Sequence, residues 1–533
     1  MKISNKILLI GMLSAATVGL SSCTDHFDSI NTNPNKITIA DSTMACTSLF
    51  QPVFYGGANN FSYYSWFWND ELIQFTAFTG GGTRQEHRYF IADNNWQSVW
   101  NFYSGYSNNI VHMYALAVAQ KNLSVQAVAL TMKVLFMSNL TDMFGDIPYS
   151  EAFQYTNNGI SKPVFDSQES VYQQMFAELE KANTIYASNP YVETAQQTLD
   201  SMYGFDMASW QKFNNSLYLR LLCRISGRKS TLVDGSKTVA QKMQQIVSDP
   251  TTYPVFTSNS DNATVKFSGV SPYYSKFNPA DYTASDFTTG GYKLAQQLIK
   301  MTVLTDSKGK ETYEDPRLQI YGKKATDYTY WKGTIAGCTT LEQNAADKGA
   351  SYLNYEVFCR TNTDEWFMDY AELQFILAEA AEKGYISGGE TAAKSYYEAA
   401  VTASMQKWSD MGAYSKTPCS ISSEDVTSFL TSDLASWDKA ENKEELIANQ
   451  KYLALFMTGM EAYHEYRRTG YPTLTIGAGT EYNDYILPTR FAYPNTTMAT
   501  NSANAKIALE RMGGDNDMKT PVWWSKQAID SSK

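Results

Sequence analysis

The sequence predicts a mostly α-helical body: degenerate TPR-like helical repeats supporting an irregular, aromatic-rich face with few short strands. Three observations carry that reading. Several long stretches place apolar residues at i, i+3, i+4 and i+7, the spacing of a helix with one buried stripe. Strand-like runs are scarce and short, TVKF at 264–267 being the best of them. The connections between helices are long, irregular and dense in Tyr and Trp.

The elements follow in chain order. Residues 1–22 read as a leader: Lys2 and Lys6 precede an apolar run from Ile7 to about Leu20, too short and wrongly flanked for a membrane span. The ending Leu20-Ser21-Ser22-Cys23 is similar to a bacterial lipobox, which predicts acylation of Cys23. Each buried acyl CH₂ contributes roughly 0.8 kcal/mol, so several chains hold a protein on a bilayer. Residues 23–43 are the polar anchor and tether, with the turn NTNPN, and 44–533 are expected to form one helical domain. No later apolar run stands out as a span. Helices are predicted at 124–140, 168–187, 207–228, 290–303 and 444–468, the last starting at Asn442 with Glu445 three on, a capping-box pattern. In 364–384, Leu373, Ile376, Leu377, Ala380 and Ala381 share a face and Gly384 marks the stop; a second helix follows at 390–408. Small residues opposite large ones let such a pair approach closely, as in repeats of about 34 residues.

Composition excludes some classes. The 533-residue chain is 14% aromatic and carries a net charge of −11, and loss of the two lysines Lys2 and Lys6 with the leader takes it to −13. That acidity repels phosphate backbones, and no basic aromatic patch offsets it, so no nucleic-acid partner is expected. Beyond Cys23, the cysteines at 46, 223, 338, 359 and 419 form no CxxC; one pair could bridge, and the spacing does not say which.

Several segments, spread in order over nearly the whole chain, carry a family resemblance. They are LSSCTDHFDSINTNPN at the anchor, NLTDMFGDIPYSEAF (139–153), EDPRL (314–318), MDYAELQFILAEAAEKG (368–384), GMEAYHEYRRTGYPTL (459–474), PTRFAYP (488–494) and TPVWW (520–524). Together they resemble the SusD/RagB outer-membrane nutrient-binding lipoproteins of Bacteroidetes, closest to the second SusD-like subgroup. The resemblance implies TPR-like helices beneath an irregular ligand face. It also implies capture of glycans, or sometimes other nutrients, for a SusC-like TonB-dependent transporter, at an outer membrane and exposed on the cell surface. Bottom-up, the same motifs read as structural. Gly145 can take positive φ at a helix end, and Asp142 and Asp146 are expected to cap backbone donors. Arg317 is expected to make an ion pair or bind a carbonyl, and Trp523 and Trp524 to pack the tail back on the body.

Sugars present C–H faces and hydroxyl rims, so a sugar binder needs flat rings beside Asn, Asp, Arg or Gln. Three stretches supply both. The first, 61–103, offers Trp66, Trp68, Asp70, Arg84, Tyr89, Asn95 and Trp96; the alternation in SYYSWFW suggests some rings in and some out. The second, 271–287, offers Tyr273, Tyr274 and Tyr282, and the third, DYTYWKG at 327–333, offers Tyr330 and Trp331. For any single ring, burial in the core is the competing reading. Positive signs of catalysis are absent: there is no HExxH, GxSxG or phosphate loop, and Asp369, Glu372, Glu379 and Glu382 read as solvated or interhelical charges. No cofactor and no metal ligand is expected, a structural Ca²⁺ site staying open. The reading is therefore a non-catalytic surface glycan-binding lipoprotein; the alternative is a structural lid of the transporter with a peptide or other non-sugar cargo.

Overall fold

The computed structural model describes residues 44–79, 85–288 and 291–531, the side chains of 93–95, 156 and 157 excepted. The predicted leader, Cys23 and the tether lie outside the described residues.

Helices dominate. The principal ones are α1 (Gly57–Tyr64), α2 (Asp93–Ala119), α3 (Leu123–Phe144), α4 (Gln168–Ala187) and α5 (Met207–Arg224), then the short α6 (Gln296–Thr302) and α7 (Thr340–Asp347). They continue as α8 (Tyr370–Glu382), α9 (Gly389–Gly412), α10 (Lys443–Ala454), α11 (Glu461–Thr469) and, near the C-terminus, α12 (Lys526–Asp530). Neighbours in sequence pack on one another: α2 on α3, α3 on α4, α4 on α5, and α8 on both α9 and α10. This is the predicted repeat-like stacking.

The centre is α3. Every residue from Ser124 to Phe144 except Lys133 is buried. It is long and apolar enough to cross a membrane by length and composition, but 83% of that window is packed inside the body, so it is a core helix. Asn122 caps its start by accepting from the Val125 amide at 3.0 Å. Gly145, at φ 83°, ends it as predicted, and the chain reverses so that the Ile147 carbonyl accepts from the Asp166 amide at 2.9 Å.

Strands are few and short, and they lie on the loop-bearing side. β1 (Thr76–Phe78), β3 (Tyr292–Leu294), β7 (Tyr352–Leu353) and β6 (Gly322–Lys323) form one sheet in the order β1-β3-β7-β6. β2 (Ala263–Val265) pairs with β8 (Glu365–Met368), and β4 (Val303–Thr305) with β5 (Glu311–Glu314), all antiparallel.

Three helix expectations need correction. The 290–303 stretch splits into β3, α6 and the start of β4. The 364–384 stretch opens as the buried strand β8, and the helix starts only after Asp369, whose side chain accepts from the Glu372 amide at 2.8 Å. The 444–468 stretch breaks into α10 and α11 across a turn in which Met457 (φ 57°) and Gly459 (φ 52°) are left-handed. The EDPRL segment starts on the last residue of β5, Glu314. The five described cysteines are all free.

Candidate functional site

The aromatic SYYSWFW run of the first stretch is core, and its backbone explains how. Residues 52–72 run as α1 flanked by two π-helical turns, Pro52–Gly56 and Ser65–Asn69. A π turn widens the helix and shifts its register. Consecutive Trp66, Phe67 and Trp68 can then all point inward, and all three are buried. The expected alternation of rings in and out is absent: of the six rings from Phe61 to Trp68 only Tyr63 is not buried. Trp66 stacks on Phe287 at 4.7 Å between centroids and meets Phe277 edge-on at 4.7 Å. Trp68 and Trp96 lie 6.0 Å apart, and both contact Phe491. Asp70 is fully buried and accepts from Asn69 Nδ2 at 2.9 Å; burial pushes its carboxyl well above the usual range. Tyr89 is buried too. Arg84 and the Asn95 side chain lie outside the described residues. As they stand in this structure, Trp66, Trp68, Asp70, Tyr89 and Trp96 are packing groups.

The second stretch is different. Residues 271–287 lie across α1 and its flanks, with Tyr273, Tyr274 and Tyr282 half buried and Phe277 and Phe287 buried. Tyr273 stacks on Tyr55 at 4.3 Å, and its hydroxyl donates to Gln51 Oε1 at 2.5 Å. The Tyr274 carbonyl accepts from Asn59 Nδ2 at 3.1 Å, Tyr282 meets Phe277 edge-on at 5.2 Å, and Lys276 Nζ lies 5.0 Å above the Tyr63 ring. Half-exposed rings and an Asn side chain thus share one surface.

The third stretch borders an open cleft of about 770 Å³ between α6, the β4–β5 hairpin and the 327–333 loop. Gln296, Lys300, Lys310, Glu311, Tyr330 and Trp331 are among its lining groups. Tyr330 is 46% exposed and meets Tyr328 edge-on at 5.5 Å. The Tyr328 ring sits where a Cβ on Gly349 (φ 74°) would be, so only glycine fits beneath it. Trp331 is mostly buried and tightly held. Its indole N–H donates to Glu314 Oε2 at 2.8 Å, its amide to Glu311 Oε1 at 2.5 Å, and Lys324 Nζ lies 5.4 Å over its ring. Lys324 also bonds the other oxygen of each carboxylate, at 3.2 and 3.0 Å. This clamp fixes the loop and leaves Tyr330 at the rim. Nothing in the sequence paired Glu311, Glu314 and Lys324 with Trp331; nor did it single out Tyr55 or Asn59.

The charged motifs are buried structure. Arg220 grips Glu372 with Nε at 2.7 Å and Nη2 at 2.5 Å. Arg224 reaches Glu461, Glu465 at 3.1 Å and Asp142 at 3.3 Å, while Arg468 Nη1 donates to Glu379 at 2.6 Å. Lys407 pairs with Asp369 at 2.6 Å. Asp369, Glu372 and Glu379 are therefore interhelical and not solvated. Asp142 departs from its expected capping role: it accepts from Tyr172 Oη at 2.5 Å and Trp524 Nε1 at 2.7 Å, and burial, opposed by Arg224, leaves it at about 6. Asp146 does cap, accepting from the Gln168 amide at 2.8 Å. Arg317 pairs with Asp315 at 2.7 Å as expected, and Trp524 is fully buried, packing the tail. A second cleft of about 770 Å³, floored by Arg468 and Glu379, holds none of the candidate ligand residues. Among the described residues no group of three or more His, Cys, Asp or Glu gathers to hold a metal.

Stacked helices joined by long loops with few short strands define a helical-repeat fold. Residues 34–494 match the SusD-like_2 family model, described as "Starch-binding associating with outer membrane", and the chain belongs to that family. Solved structures agree in fold. A SusD homolog from Parabacteroides distasonis superposes with TM-score 0.74 at 21% identity, covering 91% of this chain and 98% of its own. One from Bacteroides fragilis gives 0.72 at 23%, covering 90% and 99%. A chitin-binding protein gives 0.71 at 25%, again covering 90% and 99%. No curated protein matches.

Proposed function

We propose that this chain is a non-catalytic glycan-binding lipoprotein that captures an oligosaccharide at the outer-membrane surface and passes it to a SusC-like TonB-dependent transporter. The observation that carries the proposal is Tyr330, exposed at the rim of a cleft with polar walls; a second, half-buried ring stack sets Tyr273 of the 271–287 stretch on Tyr55. The family's description as starch-binding supports the same reading, as does a solved structure of similar fold named as a chitin-binding protein.

Rings of this kind stack on pyranose C–H faces while Gln296, Lys300 and Lys310 reach hydroxyl groups. The Glu311 and Glu314 carboxylates beside the cleft argue for holding and against hydrolysis. All four of their oxygens accept bonds from Trp331 and Lys324, whereas a glycosidase needs one carboxyl protonated toward the leaving oxygen. Lipid on Cys23 and a tether of about 20 residues, reaching at most roughly 70 Å, would keep the body near the membrane. Docking to the transporter then becomes effectively intramolecular.

The test is calorimetric titration of the soluble body, residues 24–533, against malto-oligosaccharide, chito-oligosaccharide and peptide panels. A saturable oligosaccharide signal is expected. Binding confined to peptides, or none, overturns the glycan reading. For the anchor, mass spectrometry of the mature N-terminus should find acylated Cys23; an unmodified peptide starting elsewhere contradicts it.

A further inference from the structure

Three segments meet on a surface that the glycan reading does not use: 87–90, 335–341 and 477–486. Backbone contacts lock them together. The Gly479 amide donates to the Gly337 carbonyl at 2.8 Å, the Gly337 amide to His87 Nδ1 at 3.0 Å, and Arg88 Nε to the Cys338 carbonyl at 2.7 Å. A Cβ on Gly477 or Gly479 would overlap the 337–338 backbone, so the segments close only as glycine on glycine. The base is rigid and closely packed.

Its outer side is apolar. Leu341, in the first turn of α7, is 94% exposed; Tyr482 and Tyr485 are 59% and 56% exposed. Ile335, Ile486 and Phe90 are exposed beside them, and the Phe90 and Tyr482 rings touch at 4.7 Å. Asp484 (φ 53°) and Tyr485 (φ 61°) are consecutive left-handed residues, neither a glycine. A backbone held in that region against its preference is retained where the surroundings enforce it, and such positions cluster at binding sites. The exposed Tyr485 ring stands on this segment. Contiguous exposed apolar surface with a polar rim marks an interaction site, and a preorganised one loses little entropy on docking.

The rim is acidic. Glu342, Glu481 and Asp484 are exposed, and Lys519 is tied to Asp484 at 2.6 Å. That composition selects the occupant. Leu341, Ile335 and Ile486 offer a sugar neither a flat ring nor a hydrogen bond, and Glu342 is already used to cap α7 through the Thr339 amide at 2.8 Å. A second copy would set the acidic rim against its like on a chain of net charge −11. We infer that this patch docks a protein surface with an apolar centre and a Lys/Arg rim, namely the extracellular rim of the transporter barrel; the identity of that partner rests on the function proposed above.

The experiment places a photo-reactive amino acid at position 341 or 482 of the full chain in its native membrane. Tyr191, 82% exposed and outside the patch, serves as the control. Crosslinks to a large TonB-dependent barrel at 341 and 482 but not at 191 are expected. The Leu341→Asp/Tyr482→Asp variant should retain the melting temperature and glycan affinity of the wild type while co-purifying at least tenfold less barrel. Crosslinks only to a second copy, crosslinks only from 191, undiminished co-purification by the variant, or loss of its glycan affinity each overturn the patch assignment while leaving the transporter reading intact. If the wild type brings down no barrel under mild detergent, the assignment and the transporter reading fall together.

Discussion

The molecule has two regions rich in charged and aromatic residues, and they use them in opposite ways. In the helical region, Arg220, Arg224, Arg468, Glu372, Glu379, Glu461 and Glu465 are buried and answer one another. In the loop region, the charges at Glu311, Glu314 and Lys324 also close on themselves, yet they fix Trp331 and leave the neighbouring Tyr330 ring 46% exposed. Charge in the first region fixes helices to helices. Charge in the second fixes a loop so that an aromatic face stays open. A motif dense in Glu and Arg, such as EAYHEYRR, is thus a poor guide to exposed rings here, whereas a short loop such as DYTYWKG is a good one.

The comparison breaks most visibly at Arg224. Arg224→Ala removes the partner of three buried carboxylates and should cost roughly 3–5 kcal/mol of stability, because uncompensated buried charges remain. Urea denaturation should show it as a lower midpoint. A variant as stable as the wild type would mean the network is ornamental.

Glu379 sharpens the same point through pH. Burial opposes its charge, but Arg468 and Lys383 outweigh burial and hold the carboxyl at about 2. A carboxyl depressed in the folded state stabilises above its ordinary pKa of about 4.3, and that stability is lost as pH falls from there toward 2. Glu379→Gln should therefore cost roughly 2–3 kcal/mol at pH 7, and the gap to wild type should close between about pH 4.3 and 2. Denaturation midpoints across that range check it. Glu71 runs the other way: burial raises it to about 8, so its share of stability declines as pH rises from about 4.3 to 8.

At the loop face the effect moves from stability to binding. Tyr330→Ala should leave the melting temperature unchanged, since an exposed ring away from the core shifts stability by about 0.5 kcal/mol or less. It should weaken a bound oligosaccharide by roughly 1–3 kcal/mol, by analogy with rings stacked on bases, which is about tenfold or more in Kd. Trp66→Ala should do the reverse, costing roughly 3–5 kcal/mol of stability. Calorimetry and melting curves on the two variants separate the roles.

Much of the scaffold is legible in the sequence. The 168–187 helix is read to the residue, because its apolar stripe and the Ser167 cap agree, the Ser167 side chain accepting from the Ser170 amide at 3.3 Å. The break at Met457–Gly459 is hidden, because the apolar stripe continues through a turn that only the tertiary fold imposes. The placement of the candidate rings is half legible. Aromatic density points to 327–333 and 271–287, but the same density at 61–68 marks core, since π-helical turns are invisible to periodicity and let adjacent Trp residues share one interior. Phe90, Tyr482 and Tyr485 go unread because each is locally ordinary; only folding brings them together.

The most direct measurement is hydrogen-exchange mass spectrometry of the soluble body with and without an oligosaccharide that it binds. Slowed exchange in 327–333 and 271–287, with 207–224, 370–382 and 461–469 unchanged, is the predicted result. Protection confined to the helical segments, with both loops exchanging as in the free protein, would contradict the assignment of holding to one region and binding to the other.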